Sequence, residues 1–239
     1  MAISSAGSFI RQCIVEVERK FKPTADSISR LRQNAGAPHY PSDRTFQALS
    51  FQTLVGPVNQ NFEDTYYDAD HILSTQGIWV RCRGGDWQAK IRHGGNFINS
   101  SFQELSGREA VATMIQKYFP KAQLHASGAS GISEIARFTT YRQAWRANDK
   151  FDIVIDKTDF GHVVGEVELT RELNGAGGQA LEDGEKERMS KKLDSEIEEF
   201  MRYHAWAFPT EEPVGKLSAY FAWKTHTERV KLEGNNTIL

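Results

Sequence analysis

The stretch IVEVERKF, residues 14–21, alternates apolar and charged side chains in the pattern typical of a β-strand. Successive side chains of a strand point to opposite faces, so Glu16, Glu18 and Lys20 share one face and the apolar residues share the other. Like charges two residues apart on one face repel each other, which is unfavourable unless opposite charges lie nearby. The stretch therefore predicts a strand whose charged face meets counter-charges from other parts of the chain.

Period-two alternation recurs along most of the sequence, whereas helical spacing is confined to three segments. Helices are predicted at 107–119 and 185–208, with a weaker one at 24–34. The segments with strand periodicity lie near residues 10–21, 44–55, 61–68, 77–83, 86–92, 133–141, 151–156, 162–170 and 215–224. Many strands without a regular strand–helix–strand rhythm predict an α+β fold built on an antiparallel sheet or barrel.

Length and composition favour one folded, soluble protein. The chain has 239 residues with 39% hydrophobic and 25% charged content, and we expect a single domain over 1–239 with a core at about 10–225 and short flexible termini. Its net charge of -2 provides no overall basic surface for nucleic acid or membrane. The two cysteines and the absence of an apolar leader indicate a cytoplasmic location. We expect a monomer.

Charged side chains group by sign on the faces of the predicted strands. The cations that we expect in the barrel interior are Lys20, Arg81, Arg83, Lys90, Arg142 and Lys216. The carboxylates that we expect there are Glu16, Glu18, Asp156, Glu166 and Glu168. A solvated polar face is the simple alternative for any one strand. Carboxylate pairs suit Mg²⁺ or Mn²⁺ and guanidinium groups suit phosphate oxygens, so the mixture favours a metal-bound polyphosphate in a closed interior.

Several other kinds of site lack their motifs. The seven histidines show no H-E-x-x-H spacing, so zinc hydrolysis is not indicated. No G-x-x-x-x-G-K-[ST] segment occurs, and the glycines near 174–178 lack the strand and helix that a dinucleotide-binding turn requires. Common nucleotide-binding folds are therefore not expected.

The ordered set of charged strands resembles the CYTH superfamily, the triphosphate tunnel metalloenzymes, and within it the thiamine triphosphatases. The signature E-x-E-x-K stands at 16–20. The further matching segments, in the same order, are FEDTYYD (62–68), IWVRCR (78–83), WQAK (87–90), TTYRQAW (139–145), IDKTDFGHVVGEVE (155–168) and GKLSAYF (215–221). The signature alone is weak evidence, whereas the ordered set spans most of residues 14–221.

This resemblance implies an eight-stranded antiparallel tunnel with helices outside, and a role for each interior candidate. The residues that would grip the triphosphate are Lys20, Arg81, Arg83, Lys90, Arg142 and Lys216. The residues that would hold Mg²⁺ are Glu16, Glu18, Asp156, Glu166 and Glu168. Tyr66 and Lys90 would orient and deprotonate the attacking water, and Trp79 would stack on the thiamine part or pack at the tunnel mouth. Burial among arginines is expected to lower the pKa of Lys90.

Two departures from the family pattern bear on the site. Val154 stands where the thiamine triphosphatases have an inward carboxylate, which leaves the number of metal ions open, and Asp152 on the same face is either a substitute or a solvated residue. The segments 35–60 and 171–186 are longer than the resemblance leads us to expect, and both could line a tunnel mouth.

The implied function is Mg²⁺-dependent hydrolysis of thiamine triphosphate to thiamine diphosphate and phosphate. An inorganic tripolyphosphatase or a nucleoside triphosphatase of the same superfamily is the alternative. A class IV adenylyl cyclase and a non-catalytic polyphosphate-binding protein are further alternatives, and the sequence does not decide among them.

Overall fold

A closed ring of eight antiparallel strands forms the centre of the molecule. The computed structural model describes residues 14–34, 50–96, 98–172 and 183–235. The ring strands are β1 (Ile14–Phe21), β2 (Leu54–Asp68), β3 (Ile78–Arg83), β4 (Asp86–Gly95), β5 (Asn99–Ser106), β8 (Ser133–Ala147), β9 (Phe151–Thr158) and β10 (Val163–Glu172). They follow the order β1-β10-β9-β8-β2-β3-β4-β5, and β5 pairs back onto β1. The predicted eight-stranded antiparallel barrel is therefore confirmed.

The helices and one small hairpin lie outside this ring. The helices are α1 (Ala25–Gln33), α2 (Ile72–Thr75), α3 (Arg108–Ile115), α4 (Asp183–Tyr203) and α5 (Lys216–Asn235), and the hairpin joins β6 (Gln123–His125) to β7 (Gly128–Ser130). The predictions of α1, α3 and α4 are confirmed, although α4 ends at Tyr203 rather than at 208. Among the described helices, none combines the length and apolar character needed to cross a membrane.

The strand predicted at 215–224 is wrong, because this segment begins helix α5. The amide of Ala219 donates to the carbonyl of Gly215 at 3.0 Å, which is the spacing of a helical turn. The eighth strand is instead β5, whose alternation in NSSFQELS was not interpreted as a strand. Since β5 already joins β4 to β1, the ring offers the 215–224 segment no free edge.

The strand predicted at 44–55 is also displaced. Residues 44–49 lie outside the described part of the chain, and the chain at 50–53 is not a strand. Strand β2 begins at Leu54 and continues to Asp68, so it includes the predicted strand at 61–68. The longer segments noted at 35–60 and 171–186 fall partly on residues 35–49 and 173–182, which are not described.

Strand β1 buries both of its faces. Val15 and Val17 are almost fully buried in a core that also contains Leu193 and Ile197 of α4. Such a core forms because the apolar stripe of α4 removes the outer face of the sheet from water. On the opposite face, Glu16 and Glu18 retain only 4% and 3% of their accessible surface, so the charged face is buried inside the ring.

A second core covers β3 and β4 from the other side. Trp87 and Val80 pack there with Ile115 of α3 and Leu124 of β6. The indole of Trp87 donates to the carbonyl of His125 at 2.7 Å, which attaches the hairpin to the ring. Both cores face outward from the ring, so the apolar faces of the strands lie outside and the charged faces inside.

A glycine in β10 lets the end of β1 pack closely. A Cβ atom at Gly165 would lie 2.2 Å from the ring of Phe21, which is buried and makes an edge contact with Phe208 at 5.1 Å. The Phe21 ring therefore lies directly on the backbone of Gly165, its cross-strand partner. Any side chain at position 165 would have to displace this ring.

We predict that Gly165→Ala lowers the free energy of unfolding by about 1–3 kcal/mol, because overpacking displaces the buried Phe21 ring. Urea unfolding followed by circular dichroism measures this change. Gly94→Ala is the control, since no atom lies within 4 Å of its added Cβ, and it should alter stability by less than about 0.5 kcal/mol. Equal urea midpoints for the two variants would contradict the prediction.

Candidate functional site

Three glutamates of β1 and β10 meet inside the ring. The antiparallel register sets Glu18 opposite Glu168, and Glu16 lies two residues along on the same face. One carboxylate oxygen from each of Glu16, Glu18 and Glu168 can be chosen so that all three lie within 4.8 Å of one another. Converging carboxylate oxygens are the ligands that Mg²⁺ and Mn²⁺ prefer, so these three glutamates could hold a divalent metal ion.

Lys90 of β4 lies against this cluster, together with a glutamate that the sequence reasoning missed. Its Nζ is 2.7 Å from Glu16 Oε1, 3.2 Å from Glu18 Oε2 and 3.4 Å from Glu104 Oε1. Glu104 is the cross-strand partner of Lys90 on β5. The shared parity of Phe102 and Glu104 in SSFQELS could have identified this residue, had the segment been interpreted as a strand.

The expected lowering of the Lys90 pKa is wrong for the protein alone. Burial disfavours the ammonium form, but the negative charges of Glu16, Glu18, Glu104 and Glu168 outweigh it and raise the pKa of Lys90 well above its usual value. The prediction failed because it surrounded this lysine with arginines, whereas the ring brings carboxylates to it. Lys20 behaves similarly: burial opposes its charge, and Glu18 and Glu166 raise its pKa.

Two of the cluster carboxylates have a raised pKa. Burial, reinforced by the charge of Glu16, raises the pKa of Glu168 well above its ordinary value. Burial also raises the pKa of Glu16, with Lys90 opposing and a hydrogen bond to Glu104 adding to the shift. Burial is the largest cause of both shifts, and neighbouring carboxylates add to it.

A second group of charges joins β8, β9, β10 and α5. The guanidinium of Arg142 makes two hydrogen bonds to Asp156, at 2.7 and 2.8 Å, and lies 3.7 Å from Glu166. Lys216 of α5 also contacts Asp156 and lies 3.8 Å from Glu166. Lys216 is the first residue of helix α5 and not part of a strand, yet its side chain reaches the interior as predicted.

These cations hold the two carboxylates in the ionised form. Burial would raise the pKa of Asp156, but Lys216 and Arg142 outweigh it and lower that pKa. Glu166 is affected in the same way, and Lys216, Lys20 and Arg142 lower its pKa well below the ordinary range. The five predicted metal ligands therefore divide in the structure into a cluster of three glutamates and two carboxylates paired with cations.

Two arginines of β3 share a buried aspartate that was not predicted as a site residue. Arg83 makes two hydrogen bonds of 2.7 Å to Asp64, and Arg81 Nη1 lies 3.7 Å from the same carboxylate. Asp64 is fully buried on β2, directly opposite Arg83. Asp64 stands two residues before Tyr66 in FEDTYYD. Strand alternation alone therefore predicts that both side chains lie on the inward face.

Tyr66 and Trp79 lie farther along the same interior. Tyr66 is the cross-strand partner of Arg81, and its ring stacks on Phe138 at 5.6 Å. Trp79 is the cross-strand partner of Lys90, and its ring lies perpendicular to Phe102 at 5.7 Å. Both aromatic residues line the cavity described below, so each is accessible from the interior.

The structure also shows where Val154 and Asp152 lie, the two residues at which the sequence departs from the family pattern. Val154 is 4% exposed and lies opposite Glu166, so this interior position has no charge. Asp152 lies nearer the strand end, where it pairs with Arg146 at 2.5 Å and keeps 39% of its side chain exposed. Asp152 is thus partnered at the rim of the ring, and it is not a substitute for an interior carboxylate at 154.

Eight of the predicted site residues line a cavity of about 640 Å³, whereas Glu16, Arg83, Arg142, Asp156 and Glu168 are not among its lining residues. Its walls contain residues from five of the strands that carry predicted site residues, together with the start of α5 and the short helix α2. The predicted site residues that line it are Glu18, Lys20, Tyr66, Trp79, Arg81, Lys90, Glu166 and Lys216. The fold and the site together define an antiparallel tunnel protein whose interior has carboxylates and cations side by side.

The comparison with known families agrees with this class. The CYTH domain model matches residues 15–201, and the chain belongs to the CYTH domain family. It is 27% identical over 175 residues to the thiamine-triphosphatase of Homo sapiens, covering 66% of this chain and 68% of that protein. The thiamine-triphosphatase of Macaca fascicularis matches with the same identity and coverage.

The solved structures that match are only remotely similar to this chain. A protein from Pyrococcus horikoshii OT3 has a TM-score of 0.47 and 16% identity, over 87% of this chain and 98% of that chain. This likeness is too distant to inform the site.

We predict that Mn²⁺ binds with release of protons and that its affinity rises with pH. Glu168 and Glu16 have raised pKa values, so each keeps its proton below that pKa, and the metal must displace it. Calorimetric titration in two buffers of different ionisation enthalpy measures the protons released. Affinity should fall as the pH drops through the raised pKa values.

Two variants test whether these protons come from the glutamate cluster. Glu168→Gln should weaken Mn²⁺ binding and reduce the number of protons released. Glu187→Gln is the control, because Glu187 is an exposed glutamate of α4, and it should change neither quantity. Mn²⁺ binding that is independent of pH would contradict the assignment.

Proposed function

We propose that this protein is a metal-dependent triphosphatase that hydrolyses thiamine triphosphate to thiamine diphosphate and phosphate, as a single CYTH domain over residues 1–239. The observation that carries the proposal is the cluster of Glu16, Glu18 and Glu168 inside the ring, where lysine and arginine side chains also line the cavity. The relatives named thiamine-triphosphatase support the choice of the organic group. Mg²⁺ is the proposed metal, with Mn²⁺ as a substitute.

The cations of the interior are suited to bind the triphosphate. Arg83 and Arg142 each make two hydrogen bonds to a carboxylate, which fix the direction of the guanidinium group. Arg81 is held by a hydrogen bond from its Nε to the side-chain oxygen of Gln88 at 2.8 Å. Fixed guanidinium groups match phosphate oxygens and stabilise the charge that develops during phosphoryl transfer. Lys20 and Lys216 add point charges beside Glu166. Asp64 would keep Arg81 and Arg83 in place, and it does not need to touch the substrate.

The glutamate cluster would hold the metal. When bound there, Mg²⁺ supplies Lewis-acid stabilisation of phosphate oxygens. Glu16, Glu18 and Glu168 are the proposed ligands of this ion. Asp156 and Glu166 are the remaining members of the predicted ligand set, and in the protein alone they are paired with Arg142 and Lys216.

Tyr66 and Lys90 are the proposed catalytic residues. Tyr66 lies opposite Arg81 on the neighbouring strand and lines the same cavity, so it lies beside one of the proposed phosphate-binding groups. Lys90 is held as an ammonium ion by Glu16 and Glu18, so it can act as a base only when those carboxylates bind a metal instead. Trp79 has an aromatic surface against which the thiamine ring could stack.

We predict that purified protein with Mg²⁺ releases phosphate from thiamine triphosphate with a higher kcat/KM than from tripolyphosphate or ATP. A phosphate assay on the three substrates, run side by side, measures this. An equal or higher value on tripolyphosphate would contradict the thiamine assignment and keep the triphosphatase class. Formation of cyclic AMP from ATP would favour a cyclase instead.

The variant Lys90→Ala separates an enzyme from a non-catalytic binder. Loss of the proposed base should reduce hydrolysis by about 10²–10⁴-fold while triphosphate binding, measured by calorimetry, persists. A melting curve checks that the variant folds. A wild-type protein that binds tripolyphosphate but shows no turnover would support the binder.

A further inference from the structure

The inward side chains of β3 change along the cavity from arginines to an aromatic residue. The inward side chains of this strand run from Arg83 through Arg81 to Trp79, that is, from the Asp64 pair toward α2. At the Trp79 end, the cavity is lined by Phe102 and by Ser74 and Thr75 of α2. An organic group attached to a triphosphate that is bound by the arginines would therefore lie at the Trp79 end.

A fixed positive charge lies at this same end. The guanidinium carbon of Arg92, on β4, is 4.7 Å from the centroid of the Trp79 ring, and Arg92 also lines the cavity. This contact is a cation–π interaction, and it occupies part of the aromatic surface proposed for the thiamine ring. Arginine keeps its charge at all ordinary pH values.

The backbone around Arg92 holds it in this position. Its amide donates to the carbonyl of Gly77 at 2.8 Å, and a Cβ atom at Gly77 would lie 3.1 Å from the Arg92 Cβ. Gly77 has a positive φ of 69°, which favours glycine and permits the close approach. Burial lowers the pKa of Arg92, with the charge of Glu18 opposing the shift, so part of the side chain is shielded from water.

The charge of Arg92 affects substrates with different organic groups differently. The thiazolium ring of thiamine carries a positive charge, and a second cation on the Trp79 surface would be repelled by Arg92. An uncharged planar base can stack on Trp79 and on the guanidinium plane without that repulsion. An extra phosphate group at this end of the substrate would be attracted by the positive charge of Arg92. The triphosphate-binding groups are common to all these substrates and do not discriminate among them.

We infer that Arg92 is a specificity-determining residue that reduces the preference for thiamine triphosphate and extends hydrolysis to triphosphates with an uncharged planar group, that is, to nucleoside triphosphates. This inference rests on the proposed triphosphatase function. It assigns the choice of organic group to a pair of residues, Trp79 and Arg92, rather than to Trp79 alone.

The test compares the ratio of kcat/KM for thiamine triphosphate to that for ATP in wild-type protein and in Arg92→Gln. Removing the charge should raise this ratio about tenfold, because one like charge a few ångströms away in a partly solvated site has an effect of that order. Arg92→Lys keeps the charge but lacks the guanidinium plane, so the ratio should rise less than in Arg92→Gln. His93→Gln is the control on the same strand, at an exposed position outside the cavity lining, and it should leave the ratio unchanged.

An unchanged ratio in Arg92→Gln would overturn the inference, as would an equal rise in Arg92→Lys. Calorimetry in the presence of Mg²⁺ gives a second measure, the ratio of the dissociation constants for thiamine triphosphate and ATP. If no triphosphate is hydrolysed, the proposed function fails while the binding ratio still decides the role of Arg92.

Discussion

The structure depends on the pairing of carboxylates with cations inside a closed ring of strands. Buried charges are strongly destabilising when unpaired and tolerable only when each has a well-placed partner. The ring provides such partners across neighbouring strands: Lys90 lies between Glu16 and Glu18, and Arg142 binds Asp156 through two hydrogen bonds. The charged face of β1, which appears unfavourable on its own strand, is therefore compatible with folding because other strands neutralise it.

The same pairing connects the fold to the proposed chemistry. A site that already balances both signs can exchange internal partners for a metal ion and a triphosphate, which also carry opposite charges, without a large change in total charge. The outward faces of the strands pack against α3 and α4, so these apolar cores support the ring from outside while the charge pairs neutralise its interior. Specificity for the organic group would then be set at the Trp79 end of the cavity, which adjoins Lys90 and lies beyond Arg81 on β3.

Strand parity predicted an antiparallel sheet or barrel and the charged face of each strand, because alternation is a local property of a strand, whereas the eight-stranded ring was expected from the family resemblance. It could not predict which strand closes the ring, since closure depends on pairing: β5 was missed and the start of α5 was mistaken for a strand. The predicted direction of the shift in the Lys90 pKa was also wrong. That direction depends on Glu104 and the β1 glutamates, which only the cross-strand register brings to Lys90.

The most direct test of the account is a crystal structure of the protein with Mn²⁺ and tripolyphosphate, measured at a wavelength where manganese scatters anomalously. The account predicts an anomalous peak bound by carboxylate oxygens of Glu16, Glu18 and Glu168, with phosphate oxygens against Arg81 and Arg142. An anomalous peak outside the ring, or tripolyphosphate on the outer surface with the interior pairs unchanged, would contradict it.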